Sequence, residues 1–198
     1  MWEDRLMIDV VFINGTVGSG KTSAAEALSM IEAERGHPHA LIDSDTIRRL
    51  WPRPDDDPFQ HELELENLRD LATNYRAAGA HHLIVAGVIE HSAEVPRYAT
   101  ALQAGRMLVC RLTADSRVVE TRLITRHSDD AAARDWHLNR SGELAAILDA
   151  GAFHDVIIDT TTTSPRQVAD AIATAAGWTT AGRSTAEPST TGPSPTAP

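Results

Sequence analysis

The sequence predicts an α/β protein in which a five-stranded parallel sheet carries helices on both faces and a lid at one end. Five short apolar segments, the first of them rich in β-branched residues, alternate with segments whose apolar residues recur at helical spacing. This alternation indicates right-handed βαβ crossovers, which generate a parallel sheet. A glycine-rich turn follows the first apolar segment, and polar residues follow the others. Because ligands bind at the carboxyl ends of parallel strands, a functional site is expected at that edge.

The five strands are predicted at residues 7–13, 40–42, 82–88, 107–112 and 156–159. Helices are expected over residues 21–35, 59–78, 96–104, 116–124, 141–149 and 166–176, with a further short helix that Ser44 or Asp45 caps. Residues 127–140 are polar and poorly periodic, which favours a lid formed by a mobile loop or a short helix. Residues 179–198 are nearly all Thr, Ser, Ala, Gly and Pro and are predicted to be disordered, which leaves one domain over residues 1–178.

The composition restricts the partners. The formal net charge is −10 over 198 residues, so duplex nucleic acid is not expected to bind. No apolar run is long enough to cross a bilayer, and the first residues lack the basic region of a secretory signal. Cys110 is the only cysteine, which excludes an internal disulfide and favours a buried strand thiol. These features together predict a cytoplasmic protein without a membrane partner, as a monomer or a homodimer.

The turn after the first strand matches the phosphate-binding pattern G-x-x-x-x-G-K-[ST], with a strand before it and a helix after it. Its glycines let several backbone N–H groups point at a triphosphate, and the helix start adds partial positive charge. Lys21, the only lysine of the chain, is expected to reach the β- and γ-phosphates, and the Thr22 hydroxyl to bind Mg²⁺. A chance glycine-rich turn is the alternative, which the flanking elements disfavour. The predicted nucleotide-binding residues of this turn are Gly15, Thr16, Val17, Gly18, Ser19, Gly20, Lys21 and Thr22.

Two acids follow the second strand, in the segment Asp43-Ser44-Asp45. Because side chains two apart in a strand point to the same side, both carboxylates are expected to face the γ-phosphate. Asp43 is assigned mainly to Mg²⁺ and Asp45 mainly to the proton of the acceptor hydroxyl, and the reverse assignment stays open. Arg48 is expected to hold an anionic part of the acceptor. The alternative is a helix cap with a solvated face.

The phosphate-binding turn, followed by Ile42 and the two acids, resembles shikimate kinase and adenylylsulfate kinase. The segments Glu66-Asn67-Leu68-Arg69 and Ala77-Ala78-Gly79-Ala80 also resemble adenylylsulfate kinase. The likeness covers about residues 10–176. It implies the P-loop NTPase-type three-layer fold, with Asn67 and Arg69 binding the acceptor. Glu90-His91 replaces the Ser-Pro of adenylylsulfate kinases, whose Cys-Pro-rich segment and Lys-Gly-rich lid are also missing here. Both residues are expected where an acceptor would bind, with a solvated loop as the alternative.

Four arginines surround the predicted lid, namely Arg122, Arg126, Arg134 and Arg140. The resemblance to shikimate kinase implies that Arg122 and Pro165 cover the two faces of the adenine base. Arg126 and Arg140 are expected to contact the transferring phosphate or the acceptor when the lid closes, with solvated helix arginines as the alternative. The histidines form no recognised metal-binding pattern and are expected to be structural or surface residues. Mg²⁺ accompanying ATP is the predicted cofactor.

These features predict a kinase that transfers the γ-phosphoryl group of ATP to a hydroxyl of a small molecule. The alternatives are an adenylylsulfate kinase, a phosphotransferase acting on an antibiotic, a sugar or a nucleotide, and a nucleotide-gated binding or regulatory protein. The chain has no Asn-Lys-x-Asp guanine motif, because Lys21 is its only lysine, and this disfavours a GTPase switch. The acidic pair favours catalysis over gating.

Overall fold

A computed structural model describes residues 7–179 and has the α/β architecture that the sequence predicts. Its five strands are all parallel, and helices cover both faces of the sheet. The strands are β1 (Val10–Gly15), β2 (His39–Asp43), β3 (His82–Ala86), β4 (Met107–Thr113) and β5 (Val156–Asp159). The helices are α1 (Lys21–Glu34), α2 (Ser44–Ile47), α3 (His61–Ala77), α4 (Val95–Ala101), α5 (Ser116–Arg126), α6 (Ala131–Gly151) and α7 (Pro165–Ala176). A 3-10 turn, Ser92–Glu94, precedes α4.

Strand β1 lies at the centre of the sheet, in the order β2-β3-β1-β4-β5. It pairs with β3 on one side and with β4 on the other, and all six of its residues are buried. A strand covered on both faces reads as a continuous apolar run, which is why this one was predictable from its sequence. The connection after β1 runs toward β2 at one edge of the sheet, whereas the connection after β3 runs toward β4 on the other side of β1. Because these connections diverge, a crevice opens between the carboxyl ends of β1 and β3.

An apolar core covers each face of the sheet. On one face α1 and α7 pack against alternate residues of the central strands, among them Ile13 and Cys110. On the other face α3 and α4 pack around Phe12, whose ring meets that of Tyr98 edge-on at 5.1 Å between centroids. The Cys110 thiol is buried, as predicted, and burial raises its pKa to about 12.

The prediction of a mobile loop or short helix at residues 127–140 is wrong. Residues 127–130 form a turn, and residues 131–140 are the first half of one 21-residue helix, α6, whose first turn is capped by the Asp130 carboxylate accepting from the backbone N–H of Ala133. The buried residues of α6, Ser141, Leu144 and Leu148, all lie in its second half. The first half has no core-facing stripe, so its sequence shows no helical periodicity even though its alanines favour a helix.

Smaller differences concern the ends of elements. Helix α2 is capped by the Asp43 side chain rather than by Ser44 or Asp45. The first strand begins at Val10 rather than at residue 7. The predicted disordered tail lies outside the described residues, apart from Thr179. No helix within residues 7–179 is long and apolar enough to span a bilayer.

Candidate active site

The glycine-rich loop between β1 and α1 is fixed by the buried Asn14 side chain. Its Oδ1 accepts from the backbone N–H groups of Gly15, at 2.9 Å, and Ile89, at 3.2 Å, and its Nδ2 donates to the Ile89 carbonyl at 2.9 Å. The loop therefore joins the segment that follows β3. Gly18 has a φ of 81°, and a Cβ there would meet Val119 at 3.1 Å, so this position requires glycine for conformation and for space.

The Lys21 ammonium lies over the loop. Its Nζ donates to the carbonyl oxygens of Gly15 and Thr16, each at 2.9 Å. Desolvation lowers the pKa of Lys21 to about 8, while the nearby charges of Asp45 and Asp43 act in the opposite direction. A cation held by two carbonyls and partly withdrawn from water is prepared to exchange those contacts for phosphate oxygens.

The two predicted acids lie beside this lysine, although the reasoning from strand alternation was wrong for Asp45. Asp43 ends β2, whereas Asp45 lies in the first turn of α2. The Asp43 carboxylate accepts from the Thr22 hydroxyl at 3.1 Å and from the Asp45 backbone N–H at 3.0 Å. The Asp45 carboxylate is more exposed, and Arg48 Nη2 donates to its Oδ1 at 2.5 Å.

The oxygens of Thr22 and Asp43 suit Mg²⁺ by their chemistry. Both are hard oxygen donors, and Mg²⁺ in kinase sites is held by few protein oxygens together with water and phosphate. The 3.1 Å between Thr22 Oγ1 and Asp43 Oδ2 already brings the two donors together. The residues present therefore fit the ion that the sequence implies.

A cavity of about 1520 Å³ opens above the loop. It exceeds the roughly 300–1,000 Å³ of ordinary ligand pockets, so it has room for two ligands side by side. Among the predicted site residues, those that line it are Val17, Gly18, Gly20, Lys21, Thr22, Asp43, Asp45, Arg48, Glu90, Arg122, Arg126, Arg140 and Pro165. Gly15, Thr16 and Ser19 belong to the loop but do not line the cavity.

Asn67 and Arg69, which the resemblance implied as acceptor-binding residues, are not among the residues that line the cavity. Asn67 Nδ2 donates to the Ile47 carbonyl at 2.6 Å and so ties α3 to the end of α2. Arg69 is exposed on α3. The placement of both residues argues against the acceptor contact that was expected of them.

A buried carboxylate behind the site holds Arg48, and the sequence did not reveal it. Arg48 Nη1 donates to Glu64 Oε2 at 3.0 Å, and the Tyr98 hydroxyl donates to the other carboxylate oxygen at 3.1 Å. The Glu64 side chain is fully buried, and burial raises its pKa above the ordinary value. Because each charge is expensive to bury alone, the pair keeps the Arg48 guanidinium at one place on the cavity wall.

Helix α6 closes one side of the cavity. The Ser141 hydroxyl donates to the Val17 carbonyl of the loop at 3.1 Å, and Arg140 forms an ion pair with Glu90. The Arg140 guanidinium also lies 5.0 Å from the centre of the Phe59 ring. These contacts join the predicted lid, the phosphate-binding loop and the segment after β3.

Arg122 is fixed between the loop and the turn after β5. Its guanidinium donates to the carbonyl oxygens of Gly18, at 3.1 Å, and Thr160, at 2.8 Å. Thr160 Oγ1 in turn donates to the Ser19 carbonyl at 2.9 Å. Arg122 and Pro165 both line the cavity, so the predicted base-binding pair lies beside the phosphate-binding loop.

Three large aromatic side chains also line the cavity, and none of them was predicted as a site residue. Trp51 is 89% exposed, Phe59 51% and Trp136 54%. Proteins seldom leave large aromatic rings uncovered together unless they contact a ligand or partner. The signal in the sequence was weak because the three rings are far apart along the chain.

The five-stranded parallel fold is similar to that of several solved small-molecule kinases, and in this chain the loop, the lysine and the acidic pair lie at the carboxyl edge of the sheet. No protein-family model matches the chain, and no curated protein matches it. Its likeness to known proteins therefore rests on solved structures.

One such structure is the Deinococcus radiodurans tunicamycin resistance protein, which is 26% identical and has a TM-score of 0.56, over 85% of this chain and 95% of that one. Shikimate kinase from Acinetobacter baumannii in complex with shikimate is 19% identical, with a TM-score of 0.51, over 83% and 90% of the two chains. A gluconokinase from Sinorhizobium meliloti is 16% identical, with a TM-score of 0.53, over 85% and 91%.

The lowered pKa of Lys21 predicts a pH-dependent affinity for ATP. Phosphate binds the charged ammonium, which is fully populated only below the pKa of about 8 in the free protein. We expect a constant affinity below that pH and a loss of up to about tenfold for each unit above it. Isothermal titration calorimetry with ATP between about pH 7 and about pH 9.5 measures this. The Lys21→Met variant should bind more weakly without this pH dependence, and an identical profile in both proteins would contradict the role of Lys21.

Proposed function

We propose that this protein transfers the γ-phosphoryl group of ATP to a hydroxyl of a small-molecule acceptor, with Mg²⁺ as cofactor. The observation that carries the proposal is the convergence of Lys21, Thr22, Asp43 and Asp45 on one cavity beside a glycine-rich loop. Such an arrangement positions a triphosphate and a nucleophile, which is most of what phosphoryl transfer requires. ATP as donor and the lack of a second cysteine, which excludes an internal disulfide, favour the cytoplasm as the site of action.

The donor half of the cavity is formed by the loop and the residues around Arg122. The loop amides and the Lys21 ammonium hold the terminal phosphates, which places the γ-phosphorus near the two acids. Arg122 and Pro165 enclose the adenine base from its two faces. Arg126, exposed at the end of α5, supplies positive charge to the transferring group.

Thr22 and Asp43 hold the metal ion in this proposal. Mg²⁺, when bound, neutralises the charge that develops on the phosphate oxygens. Asp43 also caps α2 and accepts from Thr22, so its carboxylate is already committed to fixed partners. These fixed partners favour Asp43 as the residue that positions the metal ion. Asp45 is then left to contact the acceptor hydroxyl.

Asp45 is the residue that we assign to the acceptor hydroxyl. Its carboxylate is exposed to the cavity and has one side-chain partner, Arg48. It orients the hydroxyl and accepts its proton as the oxygen attacks the γ-phosphorus. Arg48, fixed from behind by Glu64, binds a negative or strongly polar part of the acceptor. Glu90 and Arg140 also line the cavity and offer the acceptor further polar contacts.

An antibiotic-modifying phosphotransferase is the second candidate, and the aromatic lining favours it. Trp51, Phe59 and Trp136 all line the cavity with exposed rings, which suits an acceptor that combines hydroxyls with a sizeable apolar group. The likeness to a tunicamycin resistance protein points the same way. Adenylylsulfate kinase is less well supported, because Asn67 and Arg69 lie away from the cavity. A nucleotide-gated regulatory protein would bind ATP without transfer to any acceptor.

The direct test of the proposed reaction is a screen of small alcohols for acceptor-dependent release of ADP, followed by mass measurement of the product. A mass increase of one phosphate on the acceptor supports the kinase. ATP-dependent binding of a partner without any phosphorylated product would support the regulatory alternative instead.

We predict that Asp45→Asn lowers kcat by about 10²-fold or more, because general base catalysis typically contributes 10² to 10⁴. The affinity for ATP should be retained, since Asp45 contacts the acceptor and not the loop. Steady-state kinetics with the identified acceptor, together with ATP titration, separate these effects.

The control for this change is Asp55→Asn, in an exposed carboxylate that does not line the cavity. That variant should keep the activity of the original protein. If Asp45→Asn also kept full activity, the assignment of the base to Asp45 would be wrong.

We predict that Trp51→Ala raises KM selectively for acceptors that carry an apolar group. Covering a large aromatic side chain contributes about 1.5–3 kcal/mol, which corresponds to roughly tenfold or more. A sugar and its alkyl glycoside make a suitable pair of acceptors, and only the KM of the glycoside should rise. Met30→Ala, at an exposed position outside the cavity, is the control and should change neither value. An equal change for both acceptors would contradict an apolar contact with Trp51.

A further inference from the structure

A second cluster of ionisable side chains lies at the opposite edge of the sheet from the cavity. Glu32 belongs to the last turns of α1, His37 follows that helix, and His82 is the first residue of β3. The three residues are therefore near the amino ends of the strands, whereas the candidate active site lies at the carboxyl ends. The proposed kinase chemistry uses none of them.

The two imidazoles converge on one carboxylate oxygen. The Nδ1 atoms of His37 and His82 lie 2.9 Å and 2.8 Å from Glu32 Oε2. One ligand atom from each of the three residues lies within 4.8 Å of the others. The Glu32 side chain is fully buried, while the two histidines retain partial access to solvent, with side-chain exposures of 32% and 20%.

We propose that Glu32, His37 and His82 bind a divalent transition-metal ion of the zinc class. Two imidazole nitrogens and one carboxylate oxygen are a donor set that Zn²⁺ accepts in proteins. A tetrahedral ion with bonds of about 2.0–2.1 Å separates its ligand atoms by about 3.3 Å. The nitrogen–oxygen distances in this cluster need to lengthen by only about 0.5 Å to admit the ion.

The surroundings hold the ligands in place. The His82 ring is stacked on Trp178, with centroids 4.1 Å apart and an interplanar angle of 1°. Trp178 is itself fixed, because its Nε1 donates to the buried Ile8 carbonyl at 2.7 Å. Arg35 donates to Glu32 Oε1 at 3.2 Å and to the Trp178 carbonyl at 2.9 Å. Contacts of this kind fix the orientation of the ligating groups.

Arg35 also limits the charge of the site. Its guanidinium pairs with one oxygen of Glu32 and leaves Oε2, the oxygen that both histidines approach, for the ion. The cation therefore meets one carboxylate whose charge is partly compensated. We expect a weaker site than one made of several thiolates, with an affinity that depends strongly on each imidazole.

An ion can reach this cluster from solvent. A surface cavity of about 710 Å³ is lined by His37, His82 and Trp178 together with residues at the end of α1. A water molecule from this cavity can complete the four ligands. The bound ion would join α1, the start of β3 and the segment after α7, so its expected role is to stabilise this end of the domain.

The test is metal binding by the tag-free full chain after treatment with a chelator. Calorimetric titration with Zn²⁺ should show one ion per chain, and Co²⁺ should give the visible absorption typical of four-coordinate nitrogen and oxygen ligands. His37→Ala removes a partly exposed ligand and should weaken binding by more than about tenfold, since loss of an outer partner alone costs 10–100-fold. Zn²⁺ should raise the melting temperature of the original protein and not that of His37→Ala.

Two controls separate this site from other metal binding. His81→Ala removes an exposed neighbouring histidine that supplies no ligand to the cluster, and it should bind Zn²⁺ as the original protein does. Asp43→Asn removes the predicted Mg²⁺ ligand and should also leave Zn²⁺ binding unchanged. Glu32→Gln keeps the shape of the side chain and should weaken binding if circular dichroism shows that it is folded.

Three results would overturn the proposal. The first is equal Zn²⁺ affinity, or none, in the original protein and His37→Ala. The second is an equal loss in His81→Ala, and the third is loss of the ion in Asp43→Asn, which would assign it to the candidate active site. The first two results do not bear on the kinase proposal, because the cluster shares no residue with that cavity, whereas the third would concern the metal site of the proposed kinase.

Discussion

The burial of β1 at the centre of the sheet is the constraint on which the candidate site depends. The strand is covered on both faces and paired on both edges, so its carboxyl end is fixed in position. The loop that follows has to turn at once into α1, and Asn14 ties its first residue to the segment after β3. Lys21 then lies over the loop carbonyls, and the acids of β2 and α2 face it. The position of the site thus follows from the parallel sheet, because the carboxyl ends of its strands all lie at one edge.

The sequence could predict features that depend on neighbouring residues. Apolar runs identified the strands, the glycine-lysine pattern identified the loop, and Pro165 marked the start of α7. Asp43 and Asp45 were placed beside Lys21 for a partly mistaken reason, because α2 begins immediately after Asp43. The first half of α6 was missed, since a helix without a core-facing stripe lacks the periodicity that reveals one.

Features that depend on contacts between distant segments could not be predicted. Glu64 lies on α3 and supports Arg48 after α2, and nothing in either local sequence indicates the pair. The cluster of Glu32 with His82 joins residues 50 positions apart. Asn67, which the resemblance implied as an acceptor contact, donates to the Ile47 carbonyl instead of lining the cavity, because a matching segment does not ensure that its side chain faces the cavity. Acceptor specificity depends on such contacts. The phosphate-binding half of the candidate site could therefore be predicted from the sequence better than the acceptor-binding half.

The central claim is that the loop between β1 and α1 holds the terminal phosphates of ATP beside the two acids. A crystal structure with Mg²⁺ and a non-hydrolysable ATP analogue tests it most directly. The account predicts β- and γ-phosphates within hydrogen-bonding distance of the loop amides and Lys21 Nζ, with the metal ion next to Thr22 and Asp43. An analogue bound elsewhere, or a γ-phosphate turned away from Asp43 and Asp45, would contradict the account.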